Sequence, residues 1–196
     1  SSYDYYRVLP ELTKHFRVII HDHLGFGFSD KPDSLTYSLI DQADIALQLW
    51  NKKGLKEVSI LAHDYGTSVA KEILSRKNHN LIPLKIRRIC LCNSSVRLEH
   101  LHLRNMGNLL KNKKLGKFIA RLTSNSYQKF KKKIKSNSLD PHLNNKYDIN
   151  NVCDQMNTSS QGQKEIYLLS NFINERYTFW DRWTEALKES DIPVKI

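Results

Sequence analysis

Glycine, proline and cysteine are scarce in this chain of 196 residues, which contains seven, five and three of them. With 40% apolar and 26% charged residues, this composition excludes the collagen-like, low-complexity and disordered classes. The three cysteines form neither an even disulfide framework nor a paired CxxC metal motif. Cys90 and Cys92 lie two residues apart in an apolar run, which favours packing in a buried strand. We therefore expect a folded globular domain with structural cysteines.

Long hydrophobic runs are also lacking. The apolar segments VSILA and ICLC are far shorter than the ~20 residues of a membrane-spanning helix. No signal-peptide pattern is present. Because the sequence opens on SSYDYY without an initiator Met and stops at IPVKI, we expect it to be a fragment.

Acidic residues are almost absent from one tract of this basic chain, whose net charge is +11. Between Arg97 and Lys135 the sole acid is Glu99. The lysines at its end are Lys129, Lys131, Lys132, Lys133 and Lys135. Such a tract is typical either of a solvated helix face or of a surface that binds an anionic membrane. Nucleic acid is a less favoured partner, because few aromatic residues are interleaved with the lysines.

The first half alternates helical and strand patterns, which indicates the α/β class. Ser38 followed by Asp41 is typical of a helix start, and the apolar stripe of that helix contains Ile40, Ala43, Leu47 and Trp50. The predicted helices cover 5–15, 38–53 and 66–77, the strands 16–20, 58–62 and 86–92, and a loop 24–32. We predict a doubly wound, mostly parallel sheet.

The pattern changes after residue 95, where amphipathic helical stretches replace the alternation. A helix over 181–188 and a strand over 192–196 then return to the first pattern. We predict three parts: an α/β core over 1–95, an inserted helical and basic cap over 96–180, and a return to the core over 181–196.

The segment LAHDYGTSVA lies where a strand turns into a helix. A side chain on such a turn stands above the carboxyl edge of the sheet, and the turn requires small residues two positions away, here Ala62 and Gly66. The first N–H groups of the helix can stabilise negative charge there. Asp64 is therefore either a nucleophile or an ordinary helix N-cap, and its spacing alone leaves both hypotheses open.

Two less favoured hypotheses concern neighbouring residues. Ser68 also has small residues two positions before and after it, but we expect it to lie a full turn inside the helix. A metal cluster of His21 and His23 with His63 and Asp64 is conceivable at the strand ends. A histidine pair of this kind is more common as hydrogen-bonded structure, so we predict no metal.

Two motifs joined by a βαβ spacing, FRVIIHDHLGFGFSDKP and SILAHDYG, resemble the α/β-hydrolase superfamily. The closest branch is that of the epoxide hydrolases and haloalkane dehalogenases, which use an aspartate nucleophile. The resemblance implies a partial α/β-hydrolase fold, with Asp64 as the nucleophile and the N–H of Tyr65 in the oxyanion hole. Tyr65 stands where that branch often has Trp, so epoxide or ester hydrolysis ranks above dehalogenation.

The resemblance implies further features of the intact protein. A histidine with an acid, both expected beyond residue 196, would activate water, because Asn93 occupies the strand end where some dehalogenases keep the acid. Cap tyrosines would polarise an epoxide, and the available ones are Tyr127, Tyr147, Tyr167 and Tyr177. The implied substrate is small and lipophilic, no cofactor is implied, and the implied setting is the endoplasmic reticulum membrane. An inactive scaffold and a membrane-surface binder remain the alternatives.

Overall fold

A computed structural model describes residues 1–32, 35–94 and 172–196. The described residues divide into two compact units. One unit contains residues 1–32 with Leu35, and the other contains residues 36–94 with 172–196. The predicted cap, including its basic tract, lies almost entirely outside the described residues, so the three-part division stays a prediction.

The larger unit contains a parallel sheet of three described strands in the order β1-β2-β3. These strands are β1 (Glu57–His63), β2 (Lys85–Cys92) and β3 (Val194–Lys195). β1 pairs with β2 up to the pair His63 and Cys92, and β2 pairs with β3 at Ile89 and Val194. The strands predicted over 58–62 and 86–92 are confirmed as β1 and β2, while the strand predicted over 192–196 is shorter than expected. Since the strands are parallel, the residues after His63 and Cys92 leave the sheet at the same edge.

Three helices pack around this sheet: α2 (Leu39–Lys52), α3 (Tyr65–Asn78) and, from the end of the chain, α5 (Trp180–Lys188). α3 contacts β1 and β2, while α2 and α5 both pack on α3. The inward positions predicted for α3 are confirmed, because all four side chains are buried: Val69, Ala70, Ile73 and Leu74. Burial of this apolar face is the main stabilising contribution to the unit.

The start of α2 is confirmed, because the Ser38 side chain accepts a hydrogen bond from the Ile40 N–H. Gly54 follows the helix with a left-handed φ of 71°. The buried stripe, however, differs from the predicted one by about one position. It consists of Leu39, Gln42, Ala43 and Ala46. The reason is tertiary: α2 packs on α3 along a face that includes the polar Gln42.

The smaller unit begins with a 3₁₀ helix (Ser2–Tyr5) and a single helical turn, α1 (Leu9–Leu12). The helix predicted over 5–15 is thus much shorter. The strand predicted over 16–20 is wrong, since these residues form no regular structure and Phe16 is 58% exposed. An apolar run becomes a strand only when its backbone groups pair with a neighbouring strand, and none of the three described strands pairs with residues 16–20.

The loop predicted over 24–32 is confirmed, and Asp22 holds it together. One carboxylate oxygen of Asp22 accepts the Ser2 N–H at 2.5 Å and the other accepts the Phe28 N–H at 3.0 Å. Burial by itself raises the pKa of Asp22. The two backbone hydrogen bonds outweigh this effect, so the pKa lies below its usual range. Gly27 passes so close that a Cβ there would lie 2.2 Å from Asp22 Oδ2.

Cys92 is exposed and Cys90 only half-buried. The predicted packing role is therefore wrong for Cys92, since it lies at the carboxyl end of β2 rather than in the core. Partial desolvation by neighbouring residues raises the pKa of the Cys92 thiol, as does a hydrogen bond with Cys90. Among the described helices, none is long and apolar enough to cross a membrane.

Candidate active site

Asp64 is the single residue between β1 and α3, so the chain reverses from strand to helix at this position. Its backbone angles, φ 46° and ψ −111°, lie outside the regions that ordinary residues populate. Such a conformation costs about 1–3 kcal/mol and persists only where the surroundings enforce it. The sharp strand-to-helix turn predicted at Asp64 is therefore confirmed.

Hydrogen bonds hold both backbone groups of Asp64. Its N–H donates to the Cys92 carbonyl at the end of β2, at 3.1 Å. Its carbonyl accepts the Thr67 N–H at 3.1 Å and the Thr67 hydroxyl at 2.6 Å. These bonds attach the turn to the sheet edge on one side and to the first turn of α3 on the other.

The Asp64 side chain does not act as a helix cap. It makes no capping hydrogen bond to the described residues of α3, and it is 64% exposed. The ordinary N-cap hypothesis is therefore wrong. The carboxylate stands at the positive end of the α3 dipole, and the Arg176 guanidinium lies 3.9 Å from its Oδ1. The carboxylate therefore stands exposed at the sheet edge, on a turn whose two backbone groups are both hydrogen-bonded.

The Tyr65 side chain turns away from the exposed edge into the unit. It is only 9% exposed, its hydroxyl donates to the Tyr37 carbonyl at 3.3 Å, and its ring meets Phe172 edge to face at 5.5 Å. Burial raises the pKa of Tyr65 far above its usual value, and the nearby Glu175 carboxylate raises it further. Tyr65 therefore anchors the start of α3 with its phenol, while its N–H belongs to the first turn of the helix.

Ser68 lies inside α3 and is fully buried. Its hydroxyl accepts a hydrogen bond from Arg176 Nε at 3.0 Å. The prediction that Ser68 is displaced from the strand-to-helix turn is confirmed, and its burial removes it from contact with a substrate.

The described histidines and acids named from the sequence do not form a metal site. Within residues 1–32, 35–94 and 172–196, no group of three or more His, Cys, Asp or Glu side chains could bind a metal ion. Asn93 follows β2 at the same sheet edge as Asp64, with a left-handed φ of 56°. Tyr177 lies on α4 (Phe172–Thr178) and is 43% exposed. The other three cap tyrosines fall outside the described residues.

Sequence reasoning missed Arg176 and Glu175, which α4 brings to the turn. Arg176 contacts Asp64 and Ser68, and Glu175 Oε2 accepts the Leu39 N–H at the start of α2. No local signal marks them, because 112 residues separate Arg176 from Asp64. Only the tertiary fold brings the side chains of α4 to the start of α3.

Comparison with known proteins identifies the family. The model of the alpha/beta hydrolase fold family matches residues 1–147. The chain belongs to the α/β-hydrolase fold family. This result confirms the resemblance inferred from HDYG and GFGFSDKP, as well as the predicted fold class.

Several hydrolase-fold relatives are similar over much of the chain. The mesoderm-specific transcript proteins of Bos taurus and Mus musculus are 34% identical over 99% of this chain. LipZ of Mycobacterium tuberculosis, which is named as a candidate hydrolase, is 42% identical over 63% of the chain and 42% of its own length. The chain spans 58% of the length of the mesoderm-specific transcript proteins.

A solved structure shares the fold. The epoxide hydrolase CorEH, without ligand, matches with a TM-score of 0.67 over 99% of this chain and 69% of its own. Sequence identity is 19%, so this match concerns the fold alone.

Proposed function

We propose that the intact protein hydrolyses an epoxide or an ester through a covalent intermediate on Asp64. With an ester, attack on the acyl carbon would expel the alcohol and leave an acyl anhydride on Asp64, which water hydrolyses. With an epoxide, a carboxylate oxygen of Asp64 attacks a ring carbon, the carbon–oxygen bond breaks, and the oxygen that leaves takes up a proton from a cap tyrosine or from water. Activated water then attacks the carbonyl carbon of the enzyme ester. Cleavage of its acyl–oxygen bond releases the diol and restores the carboxylate.

The conformation of Asp64 carries the proposal. It is an exposed carboxylate on a turn whose backbone angles are unfavourable and whose N–H and carbonyl are both held by hydrogen bonds. A helix N-cap needs no such conformation, whereas a nucleophile gains from being fixed near its target. The N–H of Tyr65, at the positive end of α3, is our candidate donor to the oxyanion that forms when water attacks the ester. We assign the histidine of that step to no described residue.

Dehalogenation is the less favoured reaction, and the Tyr65 side chain supports this order. Its hydroxyl donates to the Tyr37 carbonyl and its ring packs on Phe172. A side chain engaged in this way is poorly placed to bind a halide. The proposal of an epoxide or an ester as the substrate rests on the family resemblance of the HDYG segment.

The test is Asp64→Asn in the intact protein, with styrene oxide and p-nitrophenyl butyrate as probes. We expect turnover to stop, because an amide cannot form the ester. The matched control is Asp181→Asn, which makes the same change on an exposed residue in the first turn of α5. Wild-type protein that turns over styrene oxide in water labelled with heavy oxygen should incorporate the label in the Asp64 carboxylate, since water attacks the carboxyl carbon of the alkyl ester.

Two outcomes contradict the proposal. Undiminished hydrolysis by Asp64→Asn would show that another group attacks the substrate. Turnover of styrene oxide by the wild type without label in the peptide containing Asp64 would show direct attack by water. A chain that turns over neither probe would favour the scaffold alternative.

Membrane association is a second proposal, and it rests on sequence alone. Its lysines, Lys129, Lys131, Lys132 and Lys133, lie outside the described residues. The charge of the tract favours an anionic membrane surface. We propose the endoplasmic reticulum membrane as the setting on the family resemblance.

A further inference from the structure

Arg176 lies on α4 and contacts the strand-to-helix turn, although 112 residues separate it from Asp64 in the sequence. Its Nε donates to Ser68 Oγ at 3.0 Å, and its Nη2 lies 3.4 Å from the Asp64 carbonyl and 3.9 Å from the Asp64 carboxylate. The guanidinium carbon lies 4.8 Å from the centre of the Phe172 ring. One side chain thus contacts the backbone and the carboxylate of Asp64, and also the helix that follows.

The surroundings make this contact specific to a guanidinium. Arg176 is only 8% exposed, and a buried charge is costly unless it is paired and hydrogen-bonded. Its planar fork can direct Nε to one acceptor and Nη2 to another, which the single ammonium of lysine cannot do from the same position. Burial lowers the pKa of Arg176, while the nearby Asp64 carboxylate raises it.

The adjacent residue holds α4 in place. Glu175 Oε2 accepts the Leu39 N–H at 2.5 Å, at the first residue of α2. A carboxylate at a helix N-terminus is favourable because it meets the positive end of the dipole. Neighbouring residues of α4 therefore connect the start of α2 with the start of α3, and Arg176 is presented to the turn by an anchored helix.

We propose that Arg176 is a positioning residue that holds Asp64 in its strained conformation and fixes the carboxylate for attack. It acts through the Asp64 carbonyl and through Ser68, and it need not contact a substrate. The catalytic part of this inference rests on the proposed function of Asp64. The competing explanation is that Thr67, which also binds the Asp64 carbonyl, holds the turn alone.

The experiment compares three variants of the intact protein. Arg176→Met keeps the apolar contact with Phe172 and removes the guanidinium, and Arg176→Lys restores the charge without the fork. The matched control is Arg182→Met, because Arg182 binds Glu72 through its Nη2 at 2.8 Å and is not part of the turn. Amide hydrogen exchange in peptides covering 62–68 reports on the turn without requiring a substrate.

We expect exchange over 62–68 to become about tenfold faster in Arg176→Met and to be unchanged in Arg182→Met. With styrene oxide or p-nitrophenyl butyrate, kcat should fall by about 100-fold in Arg176→Met at unchanged KM, because a displaced nucleophile loses its alignment. Arg176→Lys should recover part of this loss. The kinetic split and the partial rescue are not expected of a merely structural arginine.

Two results would overturn the inference. Unchanged exchange over 62–68 in Arg176→Met would show that Thr67 holds the turn by itself. Faster exchange with unchanged kcat would show that the turn tolerates the loss and that Arg176 has no positioning role. Should Arg176→Met fail to fold, Ser68→Ala removes one acceptor of Arg176 with a smaller change, and it should accelerate exchange in the same peptides.

The proposed function can fail separately from this inference. If Asp64→Asn keeps full activity, Asp64 is not the nucleophile. Faster exchange over 62–68 in Arg176→Met would in that case still assign Arg176 to holding the turn, and unchanged exchange would reject it.

Discussion

Glu72 is a buried carboxylate whose removal should destabilise the larger unit strongly. It is 1% exposed and lies on α3. Oε1 accepts Arg76 Nε and Arg182 Nη2, both at 2.8 Å, and Oε2 accepts the Trp183 indole N–H at 2.9 Å. Glu72→Met has similar length and accepts none of these bonds.

The magnitude follows from what each partner can do afterwards. The Trp183 side chain is 1% exposed, so its N–H would stay buried without an acceptor, at a cost of about 1–3 kcal/mol. Arg76 keeps its ion pair with Asp44, so its loss is about 1 kcal/mol. Arg182 is 42% exposed and returns to water, so it contributes about 0–1 kcal/mol. We expect the free energy of unfolding to fall by about 2–5 kcal/mol.

Urea unfolding followed by tryptophan fluorescence measures this change. The chain has three tryptophans, Trp50, Trp180 and Trp183, and all lie in the unit that contains Glu72. The matched control is Glu185→Met, the same replacement on the exposed face of α5. In a cycle with Trp183→Phe, the double variant should lose less than the sum of the single variants, because no orphaned N–H remains.

A loss below about 1 kcal/mol in Glu72→Met would refute this reasoning. It would mean that water reaches the Trp183 N–H, or that the two arginines repel each other enough to offset the lost bonds. An additive cycle would show that the bond between Glu72 and Trp183 contributes nothing of its own.

Two further predictions concern a buried cation and a close approach of the backbone. Burial, and then the charge of Arg176, lower the pKa of Lys71 from 10.5 to about 8. Between these pH values the unfolded chain binds more protons than the folded chain, so the free energy of unfolding should rise with pH. In Lys71→Met this rise should vanish. Urea unfolding at pH 7 should then give a free energy of unfolding about 2–3 kcal/mol higher than that of the wild type. Gly27→Ala should lower Tm much more than Gly54→Ala, because its Cβ would collide with Asp22 whereas nothing lies within 4 Å of a Cβ at Gly54. Equal shifts would contradict this, since both glycines have positive φ.

Local patterns predicted much of the larger unit. β1, α3 and β2 follow from apolar runs and helical periodicity, and α5 from its amphipathic spacing. The same reasoning failed for residues 16–20, because an apolar run does not reveal whether a partner strand is available. It also shifted the buried stripe of α2, because the partner helix decides which face is covered.

The candidate site divides in the same way. The sequence by itself determined where the turn lies, since Ala62 and Gly66 are small, Asp64 stands between them, and the segment follows a buried strand. It left open whether Asp64 caps the helix, because both hypotheses need the same residue at the same position.

Only the tertiary structure decided that the Asp64 side chain is exposed and makes no cap, that the Tyr65 phenol is buried, and that Arg176 contacts the Asp64 carbonyl. These facts depend on contacts between segments distant in sequence, as when α4 meets the start of α3. Periodicity and turn chemistry act over a few residues and therefore locate the strand-to-helix turn. The contact between α4 and that turn is a long-range property, which no local pattern encodes.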